Sequence, residues 1–391
     1  MQARPVRHKG PVLYCRVPTT INCIRLRQYR NFDELELTFP PAGVAIIGEN
    51  GSGKTNLLEA IYYLEIFRSF RAASDDQLVR FGGDVFHLRG ELTADGRSVE
   101  IAAGYELRTR KKRVSVDGVE PEKLGDALGR IGAVVFSPSD VGIISSGPSE
   151  RRRFLDIVLS VNQPGYVSAL QRYRQLLRNR NAVLKSGRAD ATQLAAWDEG
   201  LADAGARVMF ERAGWVARHA ASYAAKYQAI SGGTRGSLRY TAGVRGLSDF
   251  PDSPSVRERY RAELEKTVQR DIERGMTHAG PHRDHLEIAF GSSNGDVDLR
   301  EFGSGGQVRT AAIALRMIEA ETIHAARGRD CVVLLDDVFA ELDALRSQRI
   351  LQLLEAEEKG QVILTAPKES DVQLRGGRLE SWRIAAGRIV T

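Results

Sequence analysis

Gly48-Glu49-Asn50-Gly51-Ser52-Gly53-Lys54-Thr55 decides how the rest of this sequence reads. The stretch satisfies the phosphate-loop pattern Gly-x-x-x-x-Gly-Lys-Thr in full. A short apolar run, Val44 to Ile47, precedes it, and Thr55 to Phe67 follows with helical spacing at Leu58, Ile61, Tyr62 and Ile66. Strand, glycine loop and helix are the context the pattern requires. The glycines let backbone N–H groups turn inward around phosphates, Lys54 places a charge on the β and γ phosphates, and the Thr55 hydroxyl can ligate Mg²⁺. Gly48, Glu49, Asn50, Gly51, Ser52, Gly53, Lys54 and Thr55 are therefore expected to hold ATP with Mg²⁺.

Working outward, Ile21 to Leu26 and Leu35 to Phe39 read as strands. Val85 to Leu92, Val99 to Tyr105 and Lys112 to Val116 form an expected antiparallel layer, with turns at Asp95-Gly96 and Asp117-Gly118. From about Ser149 to Gly275 the strand signal largely vanishes and segments rich in Arg, Ala, Leu and Glu succeed one another, broken near Ser231 to Pro254. After Pro281 the pattern returns to strand (Leu286 to Phe290), helix (Gln307 to Ile323), buried strand (Val332 to Leu335), helix (Leu345 to Leu354) and strand (Val362 to Thr365). The expected layout is an α/β fold interrupted by a mostly helical lobe. It has a flexible basic extension over 1–20, an ATPase head over 21–148 and 276–391, and the lobe over 149–275.

Two further elements carry chemistry. Val332-Val333-Leu334-Leu335-Asp336-Asp337 is an apolar strand ending in two carboxylates. Beside a phosphate loop, Asp336 would hold Mg²⁺ through its water shell and Asp337 would orient or deprotonate the attacking water; alone, such a strand end could simply pair with arginine. Phe302-Gly303-Ser304-Gly305-Gly306-Gln307 opens an amphipathic helix, which makes Ser304 either a plain cap or part of an anion site. The order of phosphate loop, Ser304-Gly305-Gly306-Gln307, acidic strand and Ala340-Glu341-Leu342-Asp343 resembles an ABC-type P-loop ATPase head. That resemblance implies that the signature of one head closes over the nucleotide of another in an ATP-dependent homodimer.

Further motifs narrow the resemblance. They are Tyr29-Arg30-Asn31-Phe32, Val135-Phe136-Ser137-Pro138-Ser139-Asp140, Gly147-Pro148 with Arg151-Arg152-Arg153-Phe154-Leu155-Asp156, and Asn179-Arg180-Asn181. Trp197-Asp198, Gly280-Pro281-His282-Arg283-Asp284 and Leu335-Asp336-Asp337-Val338-Phe339 complete the set. Together these are similar to the RecF family of bacterial recombination mediators over roughly residues 21 to 370. The resemblance implies a slow, DNA-stimulated ATPase that binds duplex DNA and gap junctions and works with RecO and RecR to load RecA. It also implies a cytoplasmic, nucleoid-associated location and a nucleotide contact for Arg30. His285 stands where the family commonly has a second Asp. Thr365 stands where a transporter head would carry a switch histidine, and Asp140 lies in the segment of the glutamine loop without the glutamine. A transporter ATPase would carry its signature about a hundred residues after the phosphate loop, whereas 250 separate Lys54 from Ser304. An SMC-type chain would need long heptad segments, and a small-molecule kinase would have no use for the signature.

Composition agrees with a globular chain: 391 residues, 42% hydrophobic and 27% charged. No apolar run approaches the ~18 residues needed to cross a bilayer. Cys15, Cys23 and Cys331 cannot complete a disulfide framework or a zinc site and read as thiols; His282, Asp284 and His285 likewise lack a completing ligand. The net charge is +6, and among the 56 basic residues only ten are Lys. Arg151 to Asp190 alone carries +7. A helix over Tyr166 to Lys185 would put Leu170, Tyr173, Leu177 and Leu184 on one stripe, Arg180 beside it, and Arg174, Arg178 and Lys185 on its flank. That flank is the candidate DNA-phosphate contact; as a plain solvated face it would look the same.

Overall fold

The computed structural model describes residues 19–94, 96–293, 295–339, 342–357, 360–369, 379–385 and 387–390. Nearly all of the basic extension, with Cys15, lies outside the described residues, as do Asp95, Ala340 and Glu341. Strands β1 (Thr20–Tyr29) and β2 (Phe32–Thr38) form a hairpin, and β3 (Gly43–Ile47) leads through the phosphate loop into α1 (Lys54–Ile66). A turn of helix, α2 (Asp75–Leu78), precedes the meander β4 (Val85–Ala94), β5 (Arg97–Glu106) and β6 (Lys111–Val116). Then come α3 (Leu124–Ala127), β7 (Ala133–Phe136), α4 (Val141–Ser145), α5 (Pro148–Asn162), α6 (Tyr166–Lys185) and α7 (Ala191–Ser231). They are followed by β8 (Gly236–Thr241), α8 (Ser253–Arg274), β9 (His285–Ser292), β10 (Gly295–Asp298), α9 (Leu299–Phe302) and α10 (Gly305–Arg327). The chain closes with β11 (Val332–Asp336), α11 (Ala344–Glu357), β12 (Val362–Ala366), β13 (Glu380–Ala385) and β14 (Arg388–Val390).

The central sheet has the order β14-β13-β3-β12-β11-β7, parallel except for β14. Strands β3, β12 and β11 are buried at every position, as a parallel sheet covered on both faces demands. The second sheet, β2-β1-β4-β5-β6, is antiparallel and alternates buried with exposed residues along β4. Helix α1 lies between the two sheets, so Leu57, Leu58, Ile61, Tyr62, Tyr63 and Leu64 are all buried in one core with residues of both. Its helical spacing is legible in the sequence, but a stripe on one face is not what forms. A helix clasped from two sides is apolar nearly all round, and the exceptions past its first turn, Glu59 and Glu65, are bonded. Glu65 accepts from the N–H groups of Ile131 and Gly132 at 2.9 and 3.1 Å. A fully buried amide, Gln361, ties the sheets together by accepting from Ile21 N–H at 2.8 Å and donating to the Ile21 and Pro40 carbonyls.

On the other face of the central sheet, α5, α7 and α10 pack into a second core with Phe136, Val333 and Leu335. The expected lobe over 149–275 is mostly helical, with α6, α7 and α8 packed around Leu201, Met209, Val256 and Tyr260. Two features differ from the expectation. The lobe contains a strand, β8, which pairs with β9 in a three-stranded sheet, and α5 contributes Phe154, Leu155, Val158 and Leu159 to the head's core. The strand lies in a Gly- and Ser-rich stretch where local periodicity is weak; pairing with Leu286 and Ile288, distant in sequence, makes it extended. Strands β13 and β14, which extend the central sheet beyond β3, are a further addition to the expected layout.

Buried Arg212 on α7 ties that helix to α5 and to the segment leading into β9. It donates to Asp156 Oδ1 at 2.7 Å, to Asp284 Oδ2 at 2.6 Å and to the Pro281 carbonyl at 2.8 Å. Asp284 also accepts from Tyr240 and, at 2.7 Å, from Gly243 N–H. Thus Asp156 and Asp284, read as motif residues, are structural anchors, and each of these three buried charges is paired.

Candidate nucleotide site

The site is assembled at the carboxyl ends of β3, β11 and β12. Gly53 has φ 113°, and a side chain there would meet Asn31 Nδ2 at 2.6 Å from its Cβ, so only glycine fits. Asn31 donates to the Ser52 carbonyl at 3.2 Å and accepts from Asn56 Nδ2 at 2.8 Å, bracing the loop from the first hairpin. The buried Lys54 ammonium reaches the Gly48 and Glu49 carbonyls at 2.7 and 3.1 Å and lies 4.0 Å from Asp337 Oδ2.

The register of β11 on β12 places Asp336 opposite Thr365. Thr55 Oγ1 donates to Asp336 Oδ1 at 2.8 Å. Thr365 Oγ1 lies 3.1 Å from Asp336 Oδ1 and 3.3 Å from Asp337 Oδ1, and accepts from Asp337 N–H at 3.1 Å. Burial, with the Asp337 charge adding to it, pushes Asp336 up to about 6 against the hydrogen bonds from Thr55 and Thr365. A hydroxyl and a buried carboxylate side by side are hard oxygen donors that fit Mg²⁺ retaining most of its waters. Among the described residues no group of three or more His, Cys, Asp or Glu could hold a metal; an ion at this pair would need phosphate and water to complete its shell. The role of Thr365 is missed in the sequence beyond its standing in place of a histidine; its only signal is strand register.

Arg30 is engaged within the chain. Its guanidinium donates twice to buried Glu59, at 2.8 and 2.9 Å, and to the Gln77 carbonyl at 3.1 Å. Asp140 likewise faces inward, caps Ser137 N–H at 2.8 Å and pairs with Arg316 at 2.6 Å. Ser304 caps α10 in a reciprocal box: it donates its N–H to Gln307 Oε1 at 2.8 Å and accepts from Gln307 N–H at 3.4 Å. Ser304 and Gly305 are exposed, Phe302 beside them is 68% exposed, and Gly306 is covered by the Arg346 guanidinium, itself held by Asp343 at 2.8 Å.

On α6, Arg178 and Lys185 are exposed, as expected of a charged flank. Arg174 is exposed too, but its guanidinium is paired with Asp156 on α5 at 2.8 Å. Arg180, placed beside the apolar stripe, is fully buried between Asp198 and Asp271, each at 2.7 Å. His282 accepts from Tyr173 at 2.6 Å and donates to the Thr277 carbonyl at 3.0 Å.

The model of the RecF/RecN/SMC N-terminal domain matches residues 20–376. The DNA replication and repair protein RecF of Roseiflexus castenholzii is 34% identical over 393 residues, covering 94% of this chain and 98% of that protein. The chain belongs to the RecF family. RecF of Streptococcus pyogenes serotype M1 is also 34% identical, over 90% of this chain and 94% of its own. The solved structure of the recombination mediator RecF with ATP, of the RecFOR pathway, superposes with a TM-score of 0.87 at 32% identity, covering 97% and 99% of the two chains. An Smc head domain of Pyrococcus furiosus, at 17% identity and a TM-score of 0.53, shares the fold. The RecF and SMC-head likeness agrees with the ABC-type ATPase head read from the signature order.

Proposed function

We propose that this chain is an ATP-dependent DNA-binding clamp of recombinational gap repair, which dimerises on ATP and helps RecO and RecR load RecA at gaps or junctions. The observation that carries this reading is the convergence of Lys54, Thr55, Asp336, Asp337 and Thr365 at the carboxyl ends of the central strands, while the signature Ser304 stands exposed at a helix N-terminus. ATP phosphates would lie on the N–H groups of Gly48 to Thr55, with Lys54 exchanging loop carbonyls for β and γ oxygens. Thr55 and Asp336 would hold Mg²⁺, which when bound neutralises phosphate charge. Asp337 would position the attacking water, steadied by Thr365, and Ser304, Gly305, Gly306 and Gln307 would meet the γ-phosphate of a second copy. The expected activity is a slow, DNA-stimulated ATP hydrolysis serving as a switch, in a cytoplasmic, nucleoid-associated protein. No described helix is long and apolar enough to cross a membrane.

Sedimentation velocity with ATP, with and without duplex DNA, tests the reading. Wild type is expected to dimerise with ATP and to bind duplex in that state. Lys54→Ala loses ATP binding, and Ser304→Arg binds ATP but stays monomeric. A Ser304→Arg variant that still dimerises fully would overturn the composite site.

A further inference from the structure

Phe81 is the most exposed large apolar side chain among the described residues, at 101% of its reference area. It sits in Val79-Arg80-Phe81-Gly82-Gly83 between α2 and β4, and its outward position is built in. Arg80 N–H donates to the Gln28 carbonyl at 2.9 Å, Gly83 N–H closes a turn on the Arg80 carbonyl at 2.8 Å, and Gly82 has φ 80°. A ring held in water forfeits the favourable burial that an aromatic side chain ordinarily gains on folding. None of the described residues covers it.

The ring borders an open cleft of about 890 Å³ whose other wall includes Arg30, Asn31 and Asn56. Asn31 and Asn56 are the pair that brace the phosphate loop, and Asn56 directly follows Thr55. The cleft therefore begins next to the loop on which triphosphate oxygens would lie, and it is roomy enough for a nucleoside. Gly82 and Gly83 add no side chain that could screen the ring, while Arg30 is held back by Glu59. We propose that Phe81 is the stacking platform for the purine base of the nucleotide whose phosphates Gly48 to Thr55 bind. This inference rests on the ATP-binding reading above. It assigns base selection to the α2–β4 turn, so purine triphosphates bind more tightly than pyrimidine ones, which offer less stacking area.

The test is calorimetric titration of wild type, Phe81→Ala, Phe81→Trp and Lys54→Ala with ATP and with inorganic tripolyphosphate. Stacking of one base on an aromatic side chain predicts a loss of roughly 10- to 100-fold in ATP affinity for Phe81→Ala, no change for tripolyphosphate, and retention of ATP affinity in Phe81→Trp. A 2-aminopurine riboside triphosphate should be quenched on binding wild type and not on binding Phe81→Ala. Wild-type ATP affinity in Phe81→Ala overturns the proposal, even if dimerisation or DNA binding falls, since the ring is then an interface residue. Equal loss of ATP and tripolyphosphate overturns it too, because the ring then acts on the loop's structure. Lys54→Ala retaining both ligands would instead sink the phosphate-site reading itself.

Discussion

At Asp337 the backbone takes φ 45°, a conformation that residues bearing a side chain seldom adopt and that clusters at functional positions. The turn aims its carboxylate back toward Lys54 and Thr365 instead of onward along the strand. Asp337→Asn keeps the size and the N–H bond to Thr365 but lacks the charge. It is expected to bind ATP normally, hydrolyse it roughly 10²-fold more slowly, and accumulate as the closed dimer in a single-turnover assay. Turnover at the wild-type rate would place the base elsewhere. Lys54 and Thr55 are legible because one contiguous pattern fixes a strand, a loop and a helix in a known relation, and Asp336 because an apolar strand ends in two carboxylates. Thr365 is not, since its place depends on which strands pair and in what register, and the Arg30–Glu59 pair is not legible either, because Glu59 lies on a helix whose burial the local pattern does not disclose.

Among the elements, α6 shows what periodicity can and cannot give. Spacing alone separates the buried Arg180 from the exposed Arg178 and Lys185, yet it does not disclose that α5 presents Asp156 to Arg174. The same helix presses Tyr173 onto His282, and burial holds that imidazole down at about 4, with Arg283 and Arg152 opposing its charge more than Asp271 favours it. A histidine kept neutral in the folded chain, against about 6.5 when unfolded, contributes stability that is present above pH 6.5. That contribution is lost as pH falls toward 4, because only the unfolded chain takes up the proton. His282→Gln, which can still accept from Tyr173 and donate to Thr277, should flatten the fall in denaturation midpoint between pH 6.5 and 4 relative to wild type. Parallel curves would show that other groups set the acid sensitivity.

For the molecule as a whole, the question is where duplex DNA meets a dimer. Replacing Arg174, Arg178 and Lys185 by Ala should weaken DNA binding across all sequences and reduce the salt slope by roughly 0.9 log units for each phosphate no longer neutralised, with ATP binding and dimerisation intact. Since Arg174 is already paired with Asp156, most of the change should come from Arg178 and Lys185, as single variants would reveal. An unchanged slope would move the surface to the β5–β6 turn. There Arg110, Lys111 and Arg113 are exposed, while Lys112 is committed to Asp75 and the Phe67 carbonyl.

The order of the central sheet also governs how the molecule comes into being. The strand that carries the phosphate loop, β3, has as its two neighbours β12 and β13, both made more than three hundred residues later. A chain emerging from the ribosome can form the antiparallel meander early, but its nucleotide loop has no flanking strand until residues 362–366 have been synthesised and have left the exit tunnel. Long-range parallel pairing of this kind is slow to form and leaves strand edges open meanwhile. Nucleotide binding is thus the last property a nascent copy acquires, and a copy truncated before β12 would be left with an unpaired, strongly apolar strand, a substrate for chaperones and proteases instead of a competitor for ATP.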